Sequence, residues 1–168
     1  MFSFFRKNRP PSETASTLTA PNTSIAYDTD LIETLEEDHQ TLLAHYKQIE
    51  KNAIEQNFKA VQAELNRFKT LFHQHILLEN VKLYVYLTHS LDPEGEPCKR
   101  ARDMRREMRH IGKAVNQFIE RYDIWPWEEE MESQFIGELE QIGNALVNRI
   151  ETEEELLYPL YDIPSEST

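Results

Sequence analysis

Apolar side chains recur at steps of three and four along most of this chain, and two of the stripes they form change character at the same level. One reads Val61, Leu65, Phe68, Phe72, His75, Glu79; the other, 74 positions later, reads Phe135, Leu139, Ile142, Leu146, Arg149, Glu153. Steps alternating between three and four trace one face of an α-helix. Such a face points at a core, yet both stripes pass from apolar to ionisable residues at equivalent places. Each is followed at the same distance by Leu-Tyr, Leu83-Tyr84 and Leu157-Tyr158. Polar groups are costly to bury without partners. Two helices that bury them in register therefore predict a shared polar site inside a bundle, with a metal site as one form of it.

The same periodicity predicts four helices. The first runs from a Thr29 N-cap to about Gln56, with Ile32, Leu35, His39, Leu42, Tyr46, Ile49 and Ala53 on its inner face. The second covers about Asn57 to Thr88. Two prolines and a glycine make Leu91–Pro97 a loop. The third helix covers Cys98 to Tyr122 through Met104, Met108, Ile111, Val115 and Phe118; the fourth runs from Glu128 to Tyr161, after the connection Asp123–Trp127. Four amphipathic helices with short links predict an all-α fold, an antiparallel up-down-up-down four-helix bundle. No strand pattern competes. The bundle is expected over residues 29–162. Residues 1–28, rich in Pro, Ser, Thr and Asn without apolar periodicity, read as a disordered tail, and 163–168 as a second short tail.

Charge narrows the partners. The chain has 18 basic and 30 acidic residues and a formal charge of -12. A surface of that sign repels phosphate backbones, so no nucleic-acid partner is expected; a cation or a basic protein fits better. Cys98 is the only cysteine, which excludes an internal disulfide and points to a cytoplasmic location. No apolar run approaches the ~20 residues that cross a bilayer. Phe2, Phe4 and Phe5 precede Arg6 and Lys7, the reverse of a secretory signal's order. A membrane contact through them is not the expectation; a frayed tail is.

The ionisable residues of the inner faces are the candidates for chemistry. His39 stands among leucines on the first helix. His75 and Glu79 lie one turn apart on the second, so both reach one point. Glu153 is the fourth-helix equivalent of Glu79. Imidazole and carboxylate together suit iron, manganese or zinc. Plainer readings exist for each. A core histidine is commonly a hydrogen-bonded packing residue, a His–Glu surface pair is worth only about 0.2–0.5 kcal/mol, and Glu153 sits in the charged run Glu151–Glu155. The coincidence across three helices favours the polar site. His110 is the candidate on the third helix, although Arg106 and Lys113 flank it by one turn. His73 points away from His75, His45 is off its stripe and His89 lies at a helix end. No nucleophile–base pair is visible, so an enzymatic role is the least supported.

These residues carry a resemblance. Asp38-His39 followed by Leu42-Leu43, His75-x-x-x-Glu79-Asn80 with Leu83-Tyr84, and Arg149-Ile-x-x-Glu153-Glu154 with Leu157-Tyr158-Pro159-Leu160 resemble the first, second and fourth helices of the hemerythrin-like (HHE cation-binding) family. The likeness spans roughly residues 30–160. It implies a four-helix bundle around a non-haem di-iron centre and a role in oxygen binding, oxygen or redox sensing, or iron–sulfur repair. By position it implies His39, His75, Glu79, His110 and Glu153 as metal ligands, with Glu79 and Glu153 bridging. The chain departs from the pattern twice: Arg149 stands where the fourth helix offers a histidine, and Ala114 where oxygen carriers place a second third-helix histidine. A guanidinium stays protonated and donates no lone pair. The resemblance thus implies a reduced iron site, mono- or dinuclear, in a regulatory or sensing protein rather than an oxygen carrier. Leu31–Tyr46 and Ile142–Glu154 are also similar to the anti-sigma regulators of the Rsd/AlgQ type. That likeness implies the alternative of a metal-free regulator, with Arg149 replacing the metal's charge and a transcription component as protein partner, met through Trp125 and Trp127.

Overall fold

The computed structural model describes residues 18–161. The expectations for 1–17, Phe2, Phe4 and Phe5 among them, and for 162–168 lie outside the described residues. The described chain is helical, with no strand among the described residues and one isolated bridge between Thr19 and Ala26. Helix α1 is Leu31–Ile54. Helix α2, Phe58–Leu78, continues through a π-helical turn at Glu79–Leu83 into α3, Tyr84–Ser90. Helix α4 is Glu96–Tyr122. Helix α5, Glu129–Thr152, continues through a second π turn at Glu153–Leu157 into α6, Tyr158–Tyr161. These four long stretches are consistent with a four-helix bundle.

Local chemistry sets the ends. Gln56 takes a left-handed φ of 57° beyond α1, and its N–H bonds the Ala53 carbonyl at 3.0 Å, which satisfies a carbonyl at the helix end. Asn57 caps α2 by accepting from the Ala60 N–H. Pro97 lies in the first turn of α4, where its missing N–H costs nothing. Between α4 and α5, Trp127 is buried and its indole N–H donates to the Tyr122 carbonyl at 3.0 Å, while Trp125 stays 43% exposed.

The apolar interior comes in two parts. One holds Leu42, Ile49, Phe68, Phe72, Met108, Val115, Phe135 and Leu146. The other holds Leu31, Leu35, Leu83, Tyr84, Met104, Leu157 and Tyr158. Along α1 the change from one to the other falls between Leu35 and Leu42. It falls between Phe72 and Leu83 on the second stretch and between Leu146 and Leu157 on the fourth. The ionisable stripe residues occupy those intervals, so the polar cluster is sandwiched between two apolar layers.

Residues 18–28 depart from the tail expected there. Ala20 is fully buried, the Ala20 N–H bonds the Ile25 carbonyl, and the Tyr27 N–H bonds the Leu18 carbonyl. Tyr27 stacks on Tyr161, and the Asp28 N–H donates to the Tyr161 hydroxyl at 2.8 Å. Aromatic burial rather than helical periodicity orders this segment, which is why a search for stripes passes over it.

Candidate metal centre

Both π turns begin on a glutamate of the cluster. In each the ladder skips to an i+5 bond: the Tyr84 N–H donates to the Glu79 carbonyl, and the Tyr158 N–H to the Glu153 carbonyl. Residues five apart on an α-helix diverge by about 140°, whereas the wider π turn brings them to nearly the same side. Each turn thus delivers a buried Glu and a buried Tyr to the interior. Glu79 is 0% exposed, Glu153 1%, Tyr84 3% and Tyr158 1%.

His39 and His75 complete the cluster. One ligand atom from each of His39, His75, Glu79 and Glu153 can be chosen so that all four lie within 4.8 Å of one another, and all four residues are buried. His39 Nε2 is 3.2 Å from Glu153 Oε2, and His75 Nε2 is 3.7 Å from Glu79 Oε1. The outer nitrogens are held from behind: His39 Nδ1 by Glu154 Oε1 at 2.8 Å, and His75 Nδ1 at 3.4 Å from Asp38 Oδ2. A carboxylate behind an imidazole fixes the ring and keeps its proton on the outer nitrogen.

Arg149 closes the arrangement. Its Nε–H donates to Glu153 Oε1 at 2.7 Å and its Nη2–H to the Tyr84 hydroxyl at 2.9 Å. The Tyr158 hydroxyl lies 3.1 Å from His39 Nε2 and donates to Glu79 Oε1 at 3.3 Å. Each tyrosine therefore touches a group carried by the opposite half of the repeat. Two polar atoms of the cluster have no hydrogen-bond partner: Glu79 Oε2 and Arg149 Nη1, the latter 3.9 Å from Glu107 Oε2.

The electrostatics follow from burial and pairing. Burial and the neighbouring Glu153 carboxylate push Glu79 well above the ordinary carboxylate range. Burial alone would raise Glu153 too, but the His39 hydrogen bond and the Arg149 charge hold it below its usual value. Burial works against a charged His39, yet its bonds to Glu153 and Glu154 prevail and raise it. His75 is lowered, by burial and by the facing His39. The metal-free cluster thus favours protons on His39 and Glu79 and leaves Glu153 ionised between two cations.

Two imidazoles and two carboxylates suit one borderline cation of the iron, manganese or zinc type. The orphaned Glu79 Oε2 fits such a guest, since a buried carboxylate oxygen without a donor is a lost hydrogen bond. A cavity of about 20 Å³ borders His39, His75, Arg149 and Glu153, room for one water-sized species.

His110 stands apart from His39, His75, Glu79 and Glu153. Its side chain is exposed and outside the cluster. The inner face of α4 runs through Met104, Met108 and Val115, and His110 lies two residues, or about 200°, beyond Met108. The structure gathers the other four predicted residues. Tyr84 and Tyr158 add to them; the shared Leu-Tyr spacing was their signal. Asp38 and Glu154 had no periodic signal, because each merely adjoins an inward residue. Cys98 is buried in the first turn of α4.

The family model for the hemerythrin HHE cation binding domain matches residues 30–161. The likeness to anti-sigma regulators has no counterpart in the comparisons. Neither a curated protein nor a solved structure matches the chain.

Proposed function

The chain belongs to the hemerythrin HHE cation-binding family, and from that premise we propose that it holds a single divalent metal, iron first among the candidates, through His39, His75, Glu79 and Glu153. Its role on this reading is regulation through redox or oxygen sensing rather than oxygen transport, in the cytoplasm. The observation that carries the proposal is the convergence of four buried donors from three helical stretches to within 4.8 Å. An antiparallel order of the four stretches accompanies it, supported by the short link between α1 and α2 at residues 55–57.

The residues divide the work. Glu154 and Asp38 hold the two rings so that Nε2 of each faces inward. Tyr158 and Arg149 hold the two carboxylates. The two apolar layers exclude bulk water from the pocket. Iron would supply one-electron chemistry to this dry site. Its capture displaces the protons that the metal-free cluster favours, so affinity rises with pH.

Anaerobic titration of metal-free protein with Fe(II), followed by elemental analysis after gel filtration, tests the reading. One equivalent retained by the wild type and lost in Glu79→Gln supports it. Wild-type protein that retains no iron, manganese or zinc overturns it.

The buried Arg149–Glu153 pair favours a second reading. There the guanidinium stands in for the metal, and the bundle is a metal-free module for a protein partner such as a transcription component. Binding of metal by Arg149→His but not by the wild type would select it.

A further inference from the structure

The second open space of interest lies outside the cluster, between α2 and α4, a groove of about 650 Å³ that falls in the range of small-molecule sites. Its floor is apolar, made by Phe72, Ile76 and Met108. It is bracketed by two side-chain bridges between the helices: His73 Nε2 to Asn116 Oδ1 at 2.6 Å, and the Arg105 Nε–H to Asn80 Oδ1 at 3.2 Å. Gly112 keeps it open, since a β-carbon there would meet only Ile76 Cδ1, at 3.9 Å.

The rim has the wrong sign for the molecule. Helix α4 carries eight of the chain's 18 basic residues against four acidic ones, in a chain of charge -12. Arg105, Arg109 and Lys113 stand at successive i, i+4 positions along the groove, and Glu120 is its one acidic lining residue. Like charges so spaced repel one another. Among the described residues none of the three makes an ion pair, although Arg106 and Arg121 on the same helix do. Leu77 at the margin is 62% exposed. Arg105 lies over the Tyr84 ring, 5.4 Å from its centroid, while an apolar trough with three stacked cations along one wall, none ion-paired among the described residues, is complementary to one kind of guest.

We propose that this groove binds a single-chain amphiphilic anion, an elongated apolar body with a carboxylate head. The body lies over Phe72, Ile76 and Met108, and the head takes the charge of Arg105, Arg109 and Lys113. Phe72 and Met108 also border the inner cavity, so the guest would sit one side-chain layer from the cluster. The proposal does not depend on whether that cluster holds a metal.

Calorimetric titration of the full chain with decanoate tests it, with decanol as the matched neutral probe. One saturable decanoate site is expected, with decanol about tenfold weaker and the double variant R109E/K113E weaker by a similar factor, since exposed charges each contribute modestly. Gly112→Leu fills the trough and is expected to abolish binding. Leucine favours helix over glycine, so a loss of binding with unchanged circular dichroism reads as occlusion. Equal binding of decanol, indifference to Gly112→Leu, or no decanoate site in a protein that instead binds an acidic amphipathic helical peptide would each overturn the proposal.

Discussion

The α2–α3 stretch and the α5–α6 stretch are one design executed twice with one exchange. Both bury an aromatic and aliphatic stripe, both open a π turn on a glutamate, and both follow it with Leu-Tyr. One turn before the glutamate, the first has His75 and the second Arg149. The exchange sends the two glutamates to different states. Glu153, bonded by Arg149, is held ionised; Glu79, which has only His75 one turn away and a phenol, favours its proton and keeps an oxygen without a partner. The shared backbone device places a carboxyl group in the interior. The residue one turn earlier decides whether that group arrives already satisfied or ready for a cation.

Removing the exchange has the largest expected effect. Arg149→Met takes away the cation that Glu153 and the Tyr84 hydroxyl share. Stripping one partner from a buried pair costs about 3–5 kcal/mol, so the metal-free variant should lose about that much stability in urea unfolding. Saturating divalent metal should return part of that loss, because the site would then lack its internal positive charge. A variant as stable as the wild type without metal would mean that the two halves differ in name only.

The halves also differ two turns earlier, where Lys69 in the first corresponds to Gly143 in the second. A β-carbon at 143 would overlap the Tyr46 ring, whose hydroxyl donates to the Leu139 carbonyl at 3.0 Å. The glycine lets α1 approach α5, the helix that carries Arg149. Overpacking of this kind costs about 1–3 kcal/mol. Gly143→Ala is expected to lower stability within that range despite its better helix propensity, and Gly143→Ala with Tyr46→Phe to recover part of it. A stabilised single variant would show that the approach is not tight.

Much of this was legible before the fold was known. The repeat offset of 74 paired Glu79 with Glu153, and the departure from apolar to ionisable residues located the cluster, because the period of a helix converts spacing directly into facing. His39 followed from the same rule on α1. The π turns were not legible, since an inserted residue leaves the i, i+4 pattern before it intact and shows only as a phase change after it. The shared Leu-Tyr was that phase change. Asp38 and Glu154 stood in the motifs that carry the family resemblance, but their place behind the two imidazoles was not legible, because they act across a helix boundary by contact rather than by period. The ordered segment at 18–28 was missed because the Tyr27, Tyr86 and Tyr161 rings that hold it are distant in sequence.

That segment sets up a smaller contrast at the surface. Lys82 in the first π turn pairs with Asp28 at 2.5 Å, while its counterpart in the second turn is Leu156, 44% exposed. The Lys82 hydrogen bond holds Asp28 below its ordinary value of 3.8, burial notwithstanding. A carboxylate lowered on folding adds stability above its unfolded value and loses it as pH falls through the folded one. Lys82 is half exposed, and exposed pairs are worth about 0–1 kcal/mol. Asp28→Asn should therefore lose up to that amount at pH 7, with the gap to wild type closing below pH 3.8. A gap that persists in acid would assign the effect to the backbone bonds with Tyr161 instead.

The two helices outside the repeat complete the comparison, and here the smallest effect is the informative one. Helix α1 contributes His39; α4 contributes no donor, because its buried stripe at Met104 and Met108 crosses the level of the cluster with thioethers only. His110 lies on the exposed side of that helix. Surface substitutions of this kind stay within about 0.5 kcal/mol, so His110→Ala is expected to leave both urea stability and Fe(II) affinity unchanged, while His39→Ala lowers the affinity by at least about tenfold, the equivalent of 1.4 kcal/mol. Paired titrations of the two variants decide the matter. If His110→Ala weakened metal binding as much as His39→Ala, α4 would have to rotate by more than a quarter turn to bring the ring inward. Met108 would then leave the wall it shares between groove and cluster, and a site built by two unequal halves and α1 would give way to one built by all four helices.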